Sequence, residues 1–335
     1  MHISNRMCTR IIRLLGCILL TASVASAATP PRKAKTPSRR AAPVVRALPC
    51  GDYVSFQVLL DRQGFSSGQI DGKPGNNFSR ALSAAQAARK LNATGKADCD
   101  TWKALGGDKS EPTVATYTVT QDDLDGPFEK TIPRQLVDQA KLPALEYRSP
   151  IEAIAERFHA SPALIQQLNP NLRLAAGQEI RVPAVPPFDP SVKPANEAAG
   201  DITVTVSRAD SALRATRADG TIVLFAPVTT GSDHDPLPPG DFKVTGVSWL
   251  PVFHYNPDLF WDAKANDTKA TIKAGPNNPV GVAWIALSLE HYGIHGTPEP
   301  GNIGHTESHG CVRLTNWDAA RLAALVKPGT PVHFE

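Results

Sequence analysis

Apolar and polar positions change rhythm three times along the chain. Tyr53, Phe56, Leu59 and Leu60 recur at helical spacing, and Gly64-Phe65 ends the run. Turn residues follow at Gly68, Asp71-Gly72 and Gly75, then a second helical run over residues 79–91, then Thr94-Gly95 and a short helix carrying Trp102 and Leu105. A different texture begins at Thr116. Tyr117-Thr118-Val119 alternates as a strand does, and Ser149 with Glu152 forms a capping box with Pro150 at the first helical position. The helix so begun offers Ile151, Ile154, Ala155 and Phe158 to a core. A second helix opens at Ser161-Pro162, carries Leu164, Ile165 and Leu168, and ends at Asn169-Pro170-Asn171; residues 178–182 supply a returning strand. From Asp201 strand alternation takes over, at Ile202, Val204 and Val206, over residues 221–226, and at Phe242, Val244 and Val247. Glycine and proline punctuate these runs, which predicts a sandwich or barrel-like β unit with one helix over residues 317–325.

Between the last two textures, residues 185–200 are rich in proline and lack apolar periodicity, so they read as a linker. A chain of 335 residues with 41% hydrophobic side chains can supply two or three such cores. Its first 27 residues follow another logic: Arg6, Arg10 and Arg13, an apolar run over residues 14–20, then Ala25-Ser26-Ala27. This is the pattern of a secretory leader cut after Ala27, too short for a permanent span. The mature chain is therefore expected in the periplasm, wall-associated and not membrane-spanning. Leu14-Leu15-Gly16-Cys17 has the form of an acylation box, but Arg13 directly before it and the apolar residues after Cys17 argue against lipidation.

Loss of the leader removes three arginines and no acid, so the net charge of +3 falls to 0 and no global nucleic-acid footprint is left. Residues 28–47 carry Arg32, Lys33, Lys35, Arg39, Arg40 and Arg46 among prolines and alanines with no acidic residue. They read as a disordered basic tether, chiefly a solubilising linker.

Five cysteines are present, and Cys8 and Cys17 leave with the leader. In an oxidising compartment the remaining three leave one thiol to explain. Cys50 and Cys99 bracket the first helical module and are expected to pair, stabilising it by about 3–4 kcal/mol. Cys311 is then unpaired. It stands in Ser308-His309-Gly310-Cys311-Val312-Arg313, preceded by Ile294-His295-Gly296-Thr297. A thiol attacks a carbonyl as thiolate, and an imidazole can take its proton. Gly310 lets the backbone approach closely, and the amides of Gly310 and Cys311 can face a developing oxyanion. On that pair alone, a buried inert thiol is the commoner reading; the order of the surrounding motifs decides otherwise.

Pro239-Gly240-Asp241-Phe242, then Gly275-Pro276-Asn277-Asn278-Pro279-Val280-Gly281, then the motifs around His295 and Cys311 resemble, in order, the L,D-transpeptidase catalytic domain of the YkuD type, over residues 201–335. The helical module, with Gly64-Phe65, Ile70-Asp71-Gly72, Gln86 and Thr101-Trp102, resembles a three-helix peptidoglycan-binding domain, over residues 48–110. Leu168-Asn169-Pro170-Asn171-Leu172 and Gly177-Gln178-Glu179-Ile180-Arg181-Val182-Pro183 make residues 115–184 resemble the α+β LysM domain, with an insertion over residues 121–148. The fold class expected is thus multidomain, with a mainly-β catalytic unit last.

The resemblance implies Cys311 as nucleophile, His295 as base and the Gly296 carbonyl as its orienting partner, with Ser308, His309 and Gly310 shaping the site and aiding the oxyanion. It implies Arg313 as partner of a substrate carboxylate. The aromatic segment with Trp249, Phe253, Tyr255, Phe260 and Trp261 corresponds to the family's capping subdomain, with Trp249 and Tyr292 as further substrate contacts. The chemistry implied is attack on the third residue of a tetrapeptide stem, loss of D-Ala, and transfer of the thioester to an amine. Water, a free D-amino acid and a protein lysine stay open as acceptors, and carboxypeptidase or non-catalytic scaffold readings stay open beside the transpeptidase. Stem peptides and glycan strands are the expected partners of a monomer. His305 and His309 flank Glu307, but Gly301, Gly304 and Gly310 make that segment a poor helix and no third ligand is apparent, so neither metal nor cofactor is expected.

Overall fold

The computed structural model describes residues 47–109, 111–195 and 201–335; the expected leader, nearly all of the basic tether and the end of the linker lie outside them. Three helices come first. Asp52 caps α1 (Tyr53–Arg62) by accepting from the Ser55 amide at 2.8 Å, α2 spans Asn76–Ala88, and Asp98 caps α3 (Cys99–Ala104). Phe56, Leu59, Leu60, Phe78 and Leu82 are buried together, and a disulfide joins Cys50 to Cys99.

Strand β1 (Val114–Thr118) follows, then the short helices α4 (Asp122–Asp125) and α5 (Leu136–Gln139), then α6 (Pro150–Arg157), α7 (Pro162–Leu168) and strand β2 (Glu179–Pro183). Ser149 caps α6 and Ser161 caps α7. Strands β1 and β2 pair antiparallel, so the strand–helix–helix–strand unit closes on itself with Ile154, Phe158, Leu164 and Ile180 inside.

The third unit has strands β3 (Ile202–Ser207), β4 (Ala212–Arg217), β5 (Ile222–Pro227), β6 (Gly240–Trp249), β7 (Phe253–Tyr255), β8 (Ala270–Ile272), β9 (Ala283–Leu287), β10 (Gly293–His295) and β11 (Val312–Arg313), then α8 (Asn316–Leu325) and β12 (Pro331–Phe334). Eight strands form one sheet in the order β11-β10-β9-β6-β12-β3-β4-β5, while β7 and β8 form a separate hairpin. The alternation read in the sequence is the burial pattern: Ile202, Val204 and Val206 point inward, as do Ala283, Ile285 and Leu287. Val312 at one end of the sheet and Leu224 at the other belong to the same apolar cluster, which requires the sheet to curl; Trp317 and Leu322 of α8 complete its filling.

These units are fused, where the sequence pattern suggested modules on linkers. Residues 64–66 extend the edge of the large sheet: Ser66 N donates to Phe225 O at 2.8 Å and Phe225 N to Gly64 O at 2.7 Å. Gly64 has φ +79°, and a Cβ there would lie 2.6 Å from the Val223 carbonyl, so only glycine permits the approach. Ile70 joins the second unit in the same way, receiving from Ser161 N at 2.9 Å and donating to His159 O at 2.8 Å. The expected linker is partly core, since Val185 and Phe188 are buried.

At the junction of all three units lies a buried polar knot. Asp61 of α1 accepts both guanidinium nitrogens of Arg321 at 2.7 and 3.0 Å and faces His159 Nδ1 at 3.2 Å. The His159 ring stacks on Trp317 at 5.2 Å, and Ser66 Oγ donates to Asp318 at 2.7 Å.

Candidate active site

Strands β10 and β11 run parallel at the end of the sheet, with Ile294 beside Val312 and His295 beside Arg313. The chain leaves β10 at His295, loops through residues 296–310 and returns at Cys311 directly before β11, so Cys311 stands level with Gly293, two positions back from His295 on the neighbouring strand, and both residues line one cleft. Backbone bonds hold the return: Ser308 N donates to Thr230 O at 3.0 Å, Ser232 N to Ser308 O at 3.1 Å, and Arg313 N to Thr229 O at 2.8 Å. Gly310, at φ +100°, would carry a Cβ 2.9 Å from the Tyr292 ring, so a side chain there would displace the tyrosine.

The His295 ring is buried, and its Nδ1 lies 2.7 Å from the Gly296 carbonyl oxygen. A carbonyl can only accept, so Nδ1 carries the proton and Nε2 is left as the basic nitrogen. Trp284, opposite His295 in the β9 register, stacks on the ring at 5.4 Å. Burial, and then the Arg313 charge, push the His295 pKa down to about 3 against the pull of the Gly296 carbonyl. Burial pushes the Cys311 thiol up, opposed by the Gly293 backbone and by Arg313. Both shifts favour the neutral form of their group, and the Cys311 thiol points at the His291 carbonyl oxygen at 3.7 Å. Arg313 is the fixed charge of the site; its Nε is buried with no hydrogen-bond partner among the described residues.

A cleft of about 500 Å³ opens over this pair, lined by His295, Cys311, Arg313, Trp284, Tyr292 and His309 and by Phe253, Tyr255 and Phe260 of the hairpin segment. His309 Nε2 is 2.8 Å from Asp262, and its ring lies against Phe260 at 5.0 Å. Two expected substrate contacts fall elsewhere. Trp249 ends β6 beside Ala283 and packs on the sheet's apolar core, because that face of β6 points inward. Ser308 is buried and spends its hydroxyl on the Cys311 carbonyl at 2.6 Å, bracing the loop instead of facing the cleft. His305 turns away from the cleft, toward a small cavity beside α2.

Trp284 and Asn316 escaped the sequence reading. An outward Trp on a strand of inward Ala, Ile and Leu was the available signal for the first. Asn316 had none. Its Oδ1 receives the Val282 and Thr297 amides, both at 3.2 Å, and its Nδ2 donates to Pro276 O at 3.0 Å and to Glu156 Oε1 at 2.7 Å. It thereby ties the loop after His295 to α6. Glu156 is buried, which together with the charge of Glu152 outweighs the hydrogen bonds from Asn316 and Tyr147 and raises its pKa to about 8.

Between its ordinary 4.5 and about 8, the folded state holds a proton that the unfolded chain has lost, so Glu156 contributes stability that declines as pH rises across that window. Glu156→Gln keeps the donor and acceptor and removes the titration. Its melting temperature relative to the parent should therefore climb between pH 5 and pH 8, and a constant difference would show that the Glu156 proton is not linked to folding.

One free thiol and one buried imidazole thus line a single cleft under a hairpin, on a curled sheet preceded by a helical module. Residues 201–334 match the family described as the L,D-transpeptidase catalytic domain, and residues 51–105 match a peptidoglycan binding domain. L,D-transpeptidase YkuD of Bacillus subtilis is 31% identical over 186 residues, 54% of this chain and 91% of that protein. L,D-transpeptidase YbiS of Escherichia coli is 37% identical over 92 residues, 28% of this chain and 29% of that protein. A solved L,D-transpeptidase of Enterococcus faecium aligns with 40% of this chain and half, 50%, of that chain, at 20% identity and a TM-score of 0.32. The chain belongs to the YkuD-type L,D-transpeptidase family.

Proposed function

We propose that this protein cross-links peptidoglycan through a Cys311 thioester. The observation that carries the reading is the tautomer of His295: its Nδ1–H is spent on the Gly296 carbonyl, leaving Nε2 to receive a proton. As Sγ of Cys311 attacks the carbonyl of the third stem residue, the thiol proton passes to Nε2, and the amides of Gly310 and Cys311 meet the oxyanion. The imidazolium then returns the proton to the departing D-Ala amine, giving the thioester. In the second half, Nε2 takes a proton from an acceptor amine as it attacks, and the thiol is restored. A stem carboxylate on Arg313 removes the charge that opposes protonation of His295, so substrate binding itself makes the imidazole a better base. His309 and Tyr292 bound the acyl group, and the helical and LysM-like modules hold the wall polymer, in the periplasm after leader removal.

Mass spectrometry of the protein incubated with disaccharide-tetrapeptide tests this. The expected product is a dimer lacking one D-Ala. Tripeptide alone would reassign the enzyme as a carboxypeptidase, and unchanged substrate would reject the reaction.

A further inference from the structure

One wall of the catalytic cleft comes from outside the catalytic domain. The segment between Gln121 and Arg148, which interrupts the second module between β1 and α6, crosses to the hairpin and packs there: Leu136, Val137 and Leu142 lie against Tyr255, Phe253 and Ile272. Backbone bonds fix the seat, from Leu145 N to Ala274 O at 3.0 Å and from Asn277 N to Leu145 O at 2.9 Å. The side chains so delivered to the cleft are Arg134, Gln135 and Leu136, facing the same cavity as Cys311 and His295.

Arg134 is exposed and enters no ion pair among the described residues. Three carboxylates line the cleft: Asp262 is engaged by His309 at 2.8 Å, Asp267 by the Tyr255 hydroxyl at 2.9 Å, and Asp235 lies 3.6 Å from His234. A guanidinium presents paired donors that match a carboxylate. A cation held without a partner by an apolar anchor, inside a reaction cleft, is placed for an acid group that arrives with the ligand.

We infer that the insertion is a substrate-binding wall and that Arg134 is a specificity residue for a carboxylate of the stem peptide. This rests on the transpeptidase reading and deepens it. Arg313, two positions after Cys311, serves the acid group nearest the scissile carbonyl, and Arg134, arriving from another module, serves a more distant one. The second module thus contributes to choosing the stem as well as to holding the wall.

Steady-state kinetics of the full protein on stems with all carboxylates free, and on stems singly amidated at each, test the assignment. Arg134→Ala should raise KM about five- to tenfold on the free-acid stem, with a smaller change in kcat, as loss of one ion pair covered by ligand predicts. On one amidated stem the variant and parent should coincide, and Arg134→Lys should recover part of the loss. A KM within twofold of the parent on the free-acid stem, or an equal loss on every stem, would overturn the role of Arg134. Absence of turnover by the parent would instead count against the transpeptidase reading.

Discussion

Cys311→Ala should lower turnover of a tetrapeptide stem by about ten-thousandfold or more, to the level of the background reaction. The thiol is unpaired and half-buried, and the loop that presents it is held by backbone bonds and Ser308, so removing one sulfur leaves the site's geometry standing. The loss therefore reports chemistry, and the melting temperature should move little. Intact-mass analysis after exposure to a carbapenem gives a second readout, because an acyl adduct on the parent should be missing from the variant. His295→Ala should cost a comparable factor for a different reason. With both shifts favouring the neutral form, the thiol has little pre-formed thiolate to fall back on, and proton removal must accompany attack. The double variant should be no worse than either single one, since the two residues act as a unit. Turnover by Cys311→Ala at more than a hundredth of the parental rate would sink the thioester mechanism.

Asp61→Ala should destabilise the protein by about 3–5 kcal/mol, a large part of the stability of an ordinary domain, because it leaves the Arg321 charge in a site built around its partner. Burial alone would raise the Asp61 carboxyl, but the Arg321 and His159 charges outweigh it and hold the group below the ordinary carboxylate range. Its contribution is thus present above the ordinary 3.8 and is lost as pH falls below it. Urea unfolding followed by tryptophan fluorescence measures the effect, and Trp317, stacked on His159, reports from the knot itself. The helical module, the strand–helix–helix–strand unit and the sheet all contribute to this knot, so the parent should unfold in one transition. A loss below 1 kcal/mol, or a separate early transition for the helices, would show that the junction carries little of the stability.

The three helices of the first module, the later helices α6, α7 and α8, the strand alternation from Ile202 and the presence of His295 and Cys311 on one cleft were legible in the sequence, because each is written in local spacing or in motif order. The fusion of the units was not. Phe65 reads only as part of the stop to the first helical run and Ile70 only as part of a motif, yet both bond across to other units. Periodicity reports that a side chain is buried and is silent on which element buries it. The same holds for Trp249, an aromatic near the cleft in sequence that packs into the sheet, and for Arg134, whose place in the cleft depends on an insertion folding across more than a hundred residues to the hairpin. Asn316 is the extreme case, since all four of its bonds run to segments that no local pattern connects to it.

The seam at residues 64–66 also bears on how such a protein can change over evolutionary time. Modules strung on loose tethers can be exchanged by recombination at the tether, with each part indifferent to its neighbour. Here a cut between helices and sheet would strip Phe225 of two backbone partners and leave β5 as a bare edge, the kind of surface that recruits other chains. Any new arrival would have to bring its own sealing segment, including a residue as small as Gly64, so the helical module and the sheet are constrained to diverge as a pair.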